Sequence, residues 1–485
     1  MSQVLAALAE RARTSPEVVV LTDGLRDFSW AELKHEVFAA EEWIGSQLVN
    51  QPTGSPVAVA LDNGPAWVII DLALMALGRA SVPLPPFFTS EQRLHALSDS
   101  GACLLLRPPV SADDTVGSIG GRDVAGQSLG LPVHDLHRGT AKVTYTSGST
   151  GAPKGVCLSL SQMEAVAASL VDIIGRDFAG RHLAVLPLGV LLENVAGLYP
   201  TLLAGGCYNA IGLVELGFAD GLRPDIGRLV ATIRDRKINS LILVPELLRA
   251  LTTYLAATGM RLPALKLVAV GGAKLSPQLI EAARAVGIPA YEGYGLSECA
   301  SVVALNTPNS QRKGAVGKVL PHLSLSLADD GEIMIGPAPF LGYMGGPAQD
   351  GVLRTGDLGT LDADGFLSIS GRKSNLLITA FGRNVAPEWV ESELLAQPEI
   401  GQAVVFGEGA AELCAILVPS RGDLPPEAIQ AAVARANARL PTYAQVGRWS
   451  GSRPFELARG ELTGNGRPRR AALRQAHQSF IDQQN

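Results

Sequence analysis

The sequence predicts an α/β protein with a large, multi-sheet N-terminal domain and a small α+β C-terminal domain. Helical and strand-like segments alternate over most of the 485 residues, a length that exceeds one ordinary hydrophobic core. The short apolar strands lack the polar alternation of half-exposed strands. This pattern indicates sheets that are covered by helices on both faces.

The first part of the chain repeats a rhythm of helix and buried strand. The segment WAELKHEVFAAEEWIGSQL has helical periodicity, PVAVAL is a buried strand, and PAWVIIDLALMALG is again helical. The rhythm returns in IGRLVATIRDRKINSLILVPELLRALTTYLAA and in LKLVAVGGAKLSPQLIEAARAVG. Between these parts, residues 111–130 are rich in Gly, Ser and Asp, and we expect them to form an exposed loop.

The pattern changes near Leu323. Short strands separated by Asp-Gly and Asn/Gly turns predict a small β-rich region. A final α+β unit follows, with helix PEWVESELLAQ, strands QAVVFGEG and CAILVPS, and helix PPEAIQAAVARANARL. We therefore predict an N-terminal domain over 1–371, a hinge at 372–375 and a C-terminal domain over 376–485, which is a normal size for a small domain.

Composition excludes several classes of protein. Hydrophobic residues make up 47% and charged residues 18%, which is typical of a globular chain. A formal net charge of -6 gives no reason to expect a nucleic-acid partner. The longest apolar runs are too short to span a bilayer, so no transmembrane segment is predicted. The five cysteines are scattered without a CxxC pair, which favours reduced, buried thiols in a cytoplasmic protein.

The stretch TYTSGSTGAPKGV, residues 144–156, is the most informative local pattern. Strand-like residues precede and follow it, so it lies in the turn of a strand–loop–strand hairpin. Its glycines permit positive φ, its hydroxyls donate hydrogen bonds, and backbone N–H groups in such a turn form an anion-binding nest. Lys154 adds a positive charge suited to phosphate. The sequence therefore predicts a phosphate-binding loop, with a flexible surface loop as the alternative.

Four further motifs follow in order. They are YEGYGLSECA at 291–300, RTGDLG at 354–359, GRKSNLLITAFGRNVAPEWVE at 371–391 and LTGNGRPRR at 462–470. Together with the glycine-rich loop they resemble the motifs of the adenylate-forming superfamily, which contains acyl- and aryl-CoA synthetases, amino-acid-adenylating domains and luciferases. The resemblance covers nearly the whole chain and is nearest to the fatty acyl-CoA ligases. It implies an N-terminal AMP-binding, or adenylation, domain and a mobile C-terminal lid.

The resemblance also implies a set of nucleotide-binding residues. Glu298 would hold Mg²⁺ on the phosphates of ATP, although a glutamate at a helix start is the plain alternative. Tyr294 would stack on adenine, unless it is an ordinary core tyrosine. The other residues expected to contact ATP or AMP, besides the catalytic candidate Lys154, are Thr146, Ser147, Gly148, Ser149, Thr150, Gly151, Gly271, Gly272, Ala273, Glu292, Gly293, Ser297, Asp357 and Arg372.

Two of these residues have specific expected roles near the hinge. Asp357 would accept hydrogen bonds from both ribose hydroxyls, with an Asx turn as the alternative. Arg372 would contact the ribose or a phosphate, with a surface charge as the alternative. Family members usually carry Asp or Lys two residues later, whereas this chain has Ser374. A hinge only has to absorb a change in φ and ψ, so serine is compatible with domain rotation.

The last motif departs from the family at a catalytic position. The usual Asn-Gly-Lys is replaced by Asn465-Gly466-Arg467. Arginine keeps the charge and can bind two oxygens, but it is longer and planar. Three outcomes remain open: Arg467 performs the role of the lysine, adenylation is slow while thioester formation is spared, or catalysis is lost. The otherwise intact motifs favour the first outcome.

The expected acyl pocket lies in the segment LPLGVLLENVAGLYPTLLAGG, which begins at Leu186. Its aliphatic and small residues favour an alkyl chain, and Val190, Leu191, Asn194 and Gly197 are the predicted lining. Glu193 is expected to contact Asn194 rather than a substrate amine, which argues against an amino-acid substrate. Gly382 and Arg383, in the FGRNV loop, are assigned by resemblance to the thioester step.

The resulting hypothesis is an acid–thiol ligase that activates a carboxylic acid with ATP and Mg²⁺ through an acyl-adenylate. A medium- or long-chain fatty acid is the expected substrate, and CoA is the expected acceptor. The phosphopantetheine of an acyl-carrier protein, or another acceptor of the adenylate, is the rival within the class. A non-catalytic regulator that binds nucleotide or acyl groups is the second class of hypothesis, and it depends on Arg467.

Overall fold

The protein folds into the two-domain α/β architecture that the sequence predicts. The computed structural model describes residues 2–146, 153–176, 180–218, 224–463 and 466–483. Within these ranges a large α/β region precedes a smaller α+β region, so the predicted fold class is confirmed. In the described part of the chain, no helix combines the length and the apolar character needed to cross a membrane.

The helices that cover the sheets are numbered in chain order. They are α1 (Gln3–Thr14), α2 (Trp30–Gln47), α3 (Pro65–Ala76), α4 (Ser90–Ser100), α5 (Leu160–Ile174), α6 (Leu191–Glu193), α7 (Tyr199–Ala204), α8 (Ile226–Asp235), α9 (Pro245–Thr258), α10 (Pro277–Ala285), α11 (Pro387–Leu395), α12 (Pro426–Asn437), α13 (Arg470–Ala476) and α14 (Gln478–Ile481). A π-helical turn, Asn194–Leu198, joins α6 to α7, and short 3-10 turns occur at Ser297–Cys299, Lys373–Asn375 and Thr442–Ala444.

The strands are numbered in the same way. They are β1 (Val19–Thr22), β2 (Asp27–Ser29), β3 (Val57–Val59), β4 (Ser81–Pro83), β5 (Leu104–Arg107), β6 (Thr115–Ile119), β7 (Arg122–Ser128), β8 (Thr140–Thr146), β9 (Lys154–Ser159), β10 (Arg181–Leu183), β11 (Cys207–Asn209), β12 (Ser240–Leu243), β13 (Leu267–Val270), β14 (Ala290–Tyr294), β15 (Ala304–Leu305), β16 (Gly317–Val319), β17 (Ser324–Leu327), β18 (Glu332–Gly336), β19 (Gly342–Tyr343), β20 (Leu353–Leu361), β21 (Phe366–Arg372), β22 (Leu377–Ile378), β23 (Asn384–Val385), β24 (Ile400–Phe406), β25 (Leu413–Pro419) and β26 (Val446–Gly451).

Two large sheets form the N-terminal region. In the described residues, one has thirteen strands in the order β17-β18-β20-β21-β16-β15-β14-β13-β12-β10-β11-β1-β2, and the other has eight in the order β19-β9-β8-β4-β3-β5-β7-β6. The strands from β14 through β13, β12, β10 and β11 to β1 pair in parallel. Apolar side chains of β12 and β13 point alternately to the two faces of the sheet. On one face they pack in a cluster with α8, α9 and α10.

The C-terminal region has its own hydrophobic core. Strands β24, β25 and β26 form a three-stranded sheet in the described part of the chain. The fully buried side chains on its two faces all come from residue 385 onward, chiefly from the strands and from α11, α12 and α13. The 3-10 turn Lys373–Asn375 lies between this unit and β21. We therefore keep 372–375 as the proposed hinge.

The structure tests two sequence-based expectations directly, one for residues 111–130 and one for the cysteines. The expectation of an exposed loop at 111–130 is wrong, because β6 and β7 form an antiparallel hairpin that extends the eight-stranded sheet through β5. The turn residues that suggested a loop supply the ends of this hairpin. The five cysteines are free and buried, as predicted.

A buried ion pair supports the strand that leads into the glycine-rich loop. Lys142 on β8 donates to Asp71 on α3 (Nζ to Oδ1, 2.6 Å), and both side chains are at most 4% exposed. The other Asp71 oxygen accepts from Asn194 and from Tyr199. Burial and the charge of Asp71 raise the pKa of Tyr199, so its hydroxyl stays protonated and donates. The network joins α3, β8 and the π-helical turn.

Replacing Asp71 with alanine is expected to destabilise the protein by about 3–5 kcal/mol, because the ammonium of Lys142 would remain buried without its counter-charge. The measurement is urea unfolding followed by circular dichroism. Asp235→Ala is the matched control, since its pair with Arg234 is exposed to solvent and such surface pairs add little to stability. Equal losses in the two variants would contradict the expectation.

Candidate active site

A large cleft runs between the two regions of the protein. Its volume is about 3090 Å³, which exceeds the roughly 300–1,000 Å³ of an ordinary ligand pocket because it includes the open space between the domains. Residues from all five sequence motifs line it, among them Lys154, Glu298, Asp357, Arg372 and Arg467. The carboxyl ends of the parallel strands β12 and β13 open into this cleft, the usual position of a ligand in such sheets.

The glycine-rich stretch joins two paired strands, as predicted. Strands β8 and β9 are antiparallel, and Thr146 is the partner of Lys154 at the end of the hairpin. Thr146 and Lys154 both line the cleft, and the Lys154 side chain is exposed. The predicted phosphate-binding residues Ser147, Gly148, Ser149, Thr150 and Gly151 lie outside the described residues.

Tyr343 connects Lys154 to Glu298. The hydroxyl of Tyr343 donates to Oε1 of Glu298 at 2.8 Å, and Nζ of Lys154 lies 5.4 Å from the centroid of the tyrosine ring. Burial and the Glu298 carboxylate raise the pKa of Tyr343, so the hydroxyl keeps its proton. The sequence motifs gave no signal for Tyr343. It reaches the site because β19 pairs with β9, which is a long-range contact.

Asp357 lies at the centre of a second cluster. It is 8% exposed, and its two carboxylate oxygens accept from the Tyr294 hydroxyl (2.7 Å) and from Nε of Arg372 (2.9 Å). The register of β20 and β21 makes Asp357 and Arg372 direct partners. A carboxylate has about four acceptor positions, so Asp357 retains the capacity to accept bonds from a ligand. Tyr294 is held by its hydroxyl, with its ring on the wall of the cleft.

The ends of β13 and β14 supply the remaining nucleotide candidates. Gly271, Gly272, Ala273, Gly293 and Ser297 all line the cleft beside Tyr294. Glu292 lines it too, and burial raises the pKa of Glu292 to about 7 despite the opposing charge of Lys274. Near neutral pH its carboxyl group is therefore partly protonated and able to donate as well as accept.

The raised pKa of Glu292 predicts that the Glu292→Gln variant becomes more stable than the wild type as the pH rises. Because the folded-state pKa lies above the ordinary 4.5, ionisation of Glu292 costs stability as the pH rises through about 7. Glu292→Gln removes that cost. We expect its melting temperature to match that of the wild type near pH 5 and to exceed it by a few degrees at most near pH 8. A constant difference across this range, measured by calorimetry, would contradict the assigned pKa.

Arg467 reaches across the cleft from the C-terminal region. A tight turn presents it, in which Thr463 N–H donates to the Arg467 carbonyl (2.8 Å) and Arg467 N–H donates to Thr463 Oγ1 (3.1 Å). The guanidinium donates to the carbonyl oxygen of Gly272. Partial removal from water and the charge of Arg372 lower the pKa of Arg467, although an arginine still keeps its proton near neutrality. Part of the side chain remains exposed to solvent within the cleft.

The predicted acyl-pocket residues separate into two groups. Val190, Leu191 and Gly197 line the cleft. Asn194 differs from the prediction, because its side-chain amide is bound to Asp71 and Lys142 in the buried network. The expected contact between Glu193 and Asn194 is also wrong. The Glu193 carboxylate instead accepts from His182, from the hydroxyl of Tyr208 and from the backbone N–H of Leu186.

The FGRNV loop lies apart from the other candidates. Gly382 and Arg383 are exposed at the turn between β22 and β23, and they do not line the cleft. The Arg383 guanidinium lies 5.9 Å from the ring centroid of Tyr443 within the C-terminal region. The C-terminal region thus presents Arg467 to the cleft and the FGRNV loop to solvent in one arrangement.

The part of the chain that the structure describes contains no group of three or more His, Cys, Asp or Glu side chains arranged to hold a metal ion. Mg²⁺ does not need such a group, since it is commonly held by one or two carboxylates together with substrate phosphates and water. Glu298 faces the cleft beside Lys154 and Tyr343, so its carboxylate fits that mode of binding.

These features define a two-domain enzyme whose cleft is lined by cationic and carboxylate groups. A family model described as AMP-binding enzyme matches residues 8–343, and a model of the AMP-binding enzyme C-terminal domain matches residues 374–484. The chain therefore belongs to the AMP-binding enzyme family, and the adenylate-forming resemblance of its motifs is confirmed.

Similar proteins include several CoA ligases. The long-chain-fatty-acid–CoA ligase FadD15 of Mycobacterium bovis is 29% identical over 88% of this chain and 83% of its own. The 2-succinylbenzoate–CoA ligase of Bacillus subtilis is 28% identical over 82% of this chain and 84% of its own. The solved structure of the anthranilate CoA ligase AuaEII with anthranoyl-AMP shares the fold, with a TM-score of 0.82, 18% identity and coverage of 99% and 98%. The predicted class of enzyme, an acid–thiol ligase, agrees with these relatives.

Proposed function

We propose that this protein activates a medium- or long-chain fatty acid as its CoA thioester. In the first half-reaction a carboxylate oxygen attacks the α-phosphorus of ATP, and the bond to pyrophosphate breaks to give an acyl-adenylate. In the second, a thiolate attacks the acyl carbon and AMP leaves. The wide cleft supports a reaction with three large substrates bound in succession.

The observation that carries the proposal is the convergence of three cationic side chains from distant parts of the chain. Lys154 from the β8–β9 hairpin, Arg372 at the end of β21 and Arg467 from the C-terminal region all line one cleft. Fixed positive groups of this kind stabilise negative charge on a transferring phosphoryl group. We assign Lys154 to the phosphates, Arg372 to the ribose or α-phosphate side, and Arg467 to the attacking carboxylate.

The carboxylates and the aromatic ring complete the proposed nucleotide site. Asp357 would accept the ribose hydroxyls while Tyr294 and Arg372 hold it in place. Adenine would lie against Tyr294 between Gly271–Ala273 and Glu292. Glu298 would hold Mg²⁺, which neutralises phosphate charge and orients the leaving pyrophosphate.

The fatty-acid assignment depends on the apolar wall of the cleft. Val190, Leu191 and other aliphatic or small residues around the π-helical turn offer contacts to an alkyl chain. The similarity to a long-chain-fatty-acid–CoA ligase agrees with this choice, whereas the two other relatives named above are ligases of 2-succinylbenzoate and anthranilate, which are aromatic acids. An acyl-carrier protein is the main alternative acceptor. A non-catalytic nucleotide-binding regulator is disfavoured, because Arg467 extends into the cleft where the family lysine would act.

The test is acid-dependent exchange of labelled pyrophosphate into ATP, measured with acetate, medium- and long-chain fatty acids, benzoates and amino acids. We expect exchange with fatty acids, and a loss of about a hundredfold or more in Lys154→Ala. Lys34→Ala, on the exposed face of α2, is the control and should behave as the wild type. Thioester formation with CoA or with a phosphopantetheinylated carrier protein then identifies the acceptor. Exchange with benzoates alone would reject the fatty-acid assignment.

Tyr343→Phe tests how Glu298 is positioned. The change removes only the hydroxyl that holds the carboxylate, so the concentration of Mg²⁺ needed for half-maximal exchange should rise about three- to tenfold. The KM for the acid should be unchanged. A Tyr343→Phe enzyme with normal Mg²⁺ dependence and a uniformly lower kcat would show that the hydroxyl has only a structural role.

A further inference from the structure

A row of polar side chains crosses the parallel sheet beneath the π-helical turn. Tyr208 on β11, His182 on β10 and Ser240 on β12 are register partners on adjacent parallel strands, so they project from the same face. The rings of His182 and Tyr208 stack with centroids 5.5 Å apart. None of the sequence motifs includes these residues. We call them, together with Glu193, the polar row.

The hydrogen bonds within the polar row indicate which group donates and which accepts in each contact. The Glu193 carboxylate accepts from Tyr208 Oη at 2.9 Å and from Leu186 N–H at 3.2 Å, and its remaining close partner is His182 Nε2 at 3.0 Å. In neutral His182, Nε2 then carries the hydrogen, and Nδ1 accepts the hydroxyl proton of Ser240 at 2.9 Å. This arrangement leaves the lone pairs of Ser240 Oγ available as acceptors.

The polar row forms part of the cleft wall. His182, Ser240 and Gly197 line the same continuous cavity as the nucleotide residues, and Glu193 lies immediately behind Gly197. A β-carbon added at Gly197 would lie 2.5 Å from Glu193 Oε1 and 2.9 Å from His182 Nε2, so a larger residue there would disturb the row. The π-helical turn that contains Gly197 is an irregularity that occurs frequently at functional sites.

The position of the row along the sheet relates it to the proposed acyl chain. Ser240 is the first residue of β12, and its register partner Leu267 is the first residue of β13. Gly271, at the nucleotide end of the sheet, comes four residues after Leu267. At about 3.3 Å per residue, the row lies roughly 13 Å from that end of the strands. The wall between them carries Ala269 and Ile242, and Ala196 and Pro200 also line the cavity. A chain anchored at the adenylate site would therefore pass apolar and small residues before it meets a polar group.

We propose that the acid substrate carries a hydroxyl group toward the distal end of a medium-length alkyl chain, and that this hydroxyl donates to Ser240 Oγ. The inference depends on the proposed acid-activating function. A hydrogen-bond acceptor such as Ser240 Oγ, buried at the end of an apolar channel, favours a substrate chain that ends in a hydrogen-bond donor over one that ends in a methyl group. The methyl group would displace water from Ser240 without replacing its hydrogen bond. Glu193 behind the row disfavours a terminal carboxylate.

The test compares kcat/KM in pyrophosphate exchange for decanoate and ω-hydroxydecanoate, and for octanoate and ω-hydroxyoctanoate. The wild type should prefer at least one hydroxy acid over its parent by about tenfold. Ser240→Ala should abolish this preference while retaining activity toward the parent acid. The matched control is Ser169→Ala, because Ser169 makes the same type of bond to His322 Nδ1 (2.8 Å) but lies outside the cleft lining.

The outcomes separate this inference from the function on which it depends. Equal kcat/KM for each pair of acids in the wild type, or a preference that survives Ser240→Ala, would overturn the hydroxy-acid assignment alone. Exchange with none of the acids in any class would reject the proposed function, and the inference with it. A preference lost equally in Ser169→Ala would show that the effect is a general loss of packing, and would also overturn the assignment.

Discussion

Replacing Arg467 with alanine is expected to lower acid-dependent pyrophosphate exchange by at least about a hundredfold. Arg467 is a cation of the C-terminal region that reaches the cleft from the sequence position of the family's lysine, and it contacts the Gly272 carbonyl beside the nucleotide candidates. Without it, the attacking carboxylate and the α-phosphate would repel each other and lose their alignment. Thioester formation from a supplied acyl-adenylate should fall much less, since that step does not need the same alignment.

Two further variants make the Arg467 experiment decisive. Arg467→Lys restores the usual family residue and should retain exchange, because a lysine supplies the same charge from a shorter side chain. Arg435→Ala, in an exposed pair with Glu399 on the C-terminal region, should leave exchange unchanged. If the wild type shows no exchange and Arg467→Lys gains it, the last motif has diverged and the protein binds without adenylating. If neither the wild type nor Arg467→Lys shows exchange although both bind ATP measurably, the result would favour a non-catalytic regulator.

Replacing Gly382 with leucine is expected to block thioester formation by about a hundredfold or more while pyrophosphate exchange stays close to that of the wild type. In the present arrangement Gly382 is exposed, outside the cleft, and has open space around it, so a side chain there meets nothing during adenylation. If the C-terminal region rotates about 372–375 for the second half-reaction, the FGRNV loop enters the cleft and a leucine would obstruct the thiol. Single-turnover assays of each half-reaction measure the two effects separately.

Backbone strain needs its own control in this experiment, since Gly382 has a φ of 69°. Gly259, at the end of α9, has a φ of 68° and is equally unobstructed, so Gly259→Leu introduces similar strain on the opposite domain. Equal losses in both half-reactions for Gly382→Leu would remove the loop from the thioester step. Crystals of adenylate-bound and CoA-bound enzyme with the same interdomain angle would count against rotation itself.

Local sequence was a good guide where chemistry and geometry are set by adjacent residues. The hairpin around Lys154, the helix from Trp30 and the strand–turn pattern after Leu323 follow from periodicity and turn residues, and the structure contains all three. The prediction failed at 111–130, where turn-rich composition conceals two short strands whose pairing with β5 is a distant contact. It failed again at Asn194, whose amide binds Asp71 and Lys142 from other elements.

The sequence by itself determined the class of fold, the family and the identity of the charged groups at the candidate site, because each motif carries its residues within a few positions of one another. Only the tertiary structure decided which of these groups meet. It brought Tyr343 to Glu298 through the pairing of β19 with β9, and Arg467 to Gly272 across the cleft. It also assembled Glu193, His182 and Ser240 into one row along the proposed acyl channel. The physical reason is that contacts between residues far apart in the chain depend on strand register and domain packing, which no local pattern encodes.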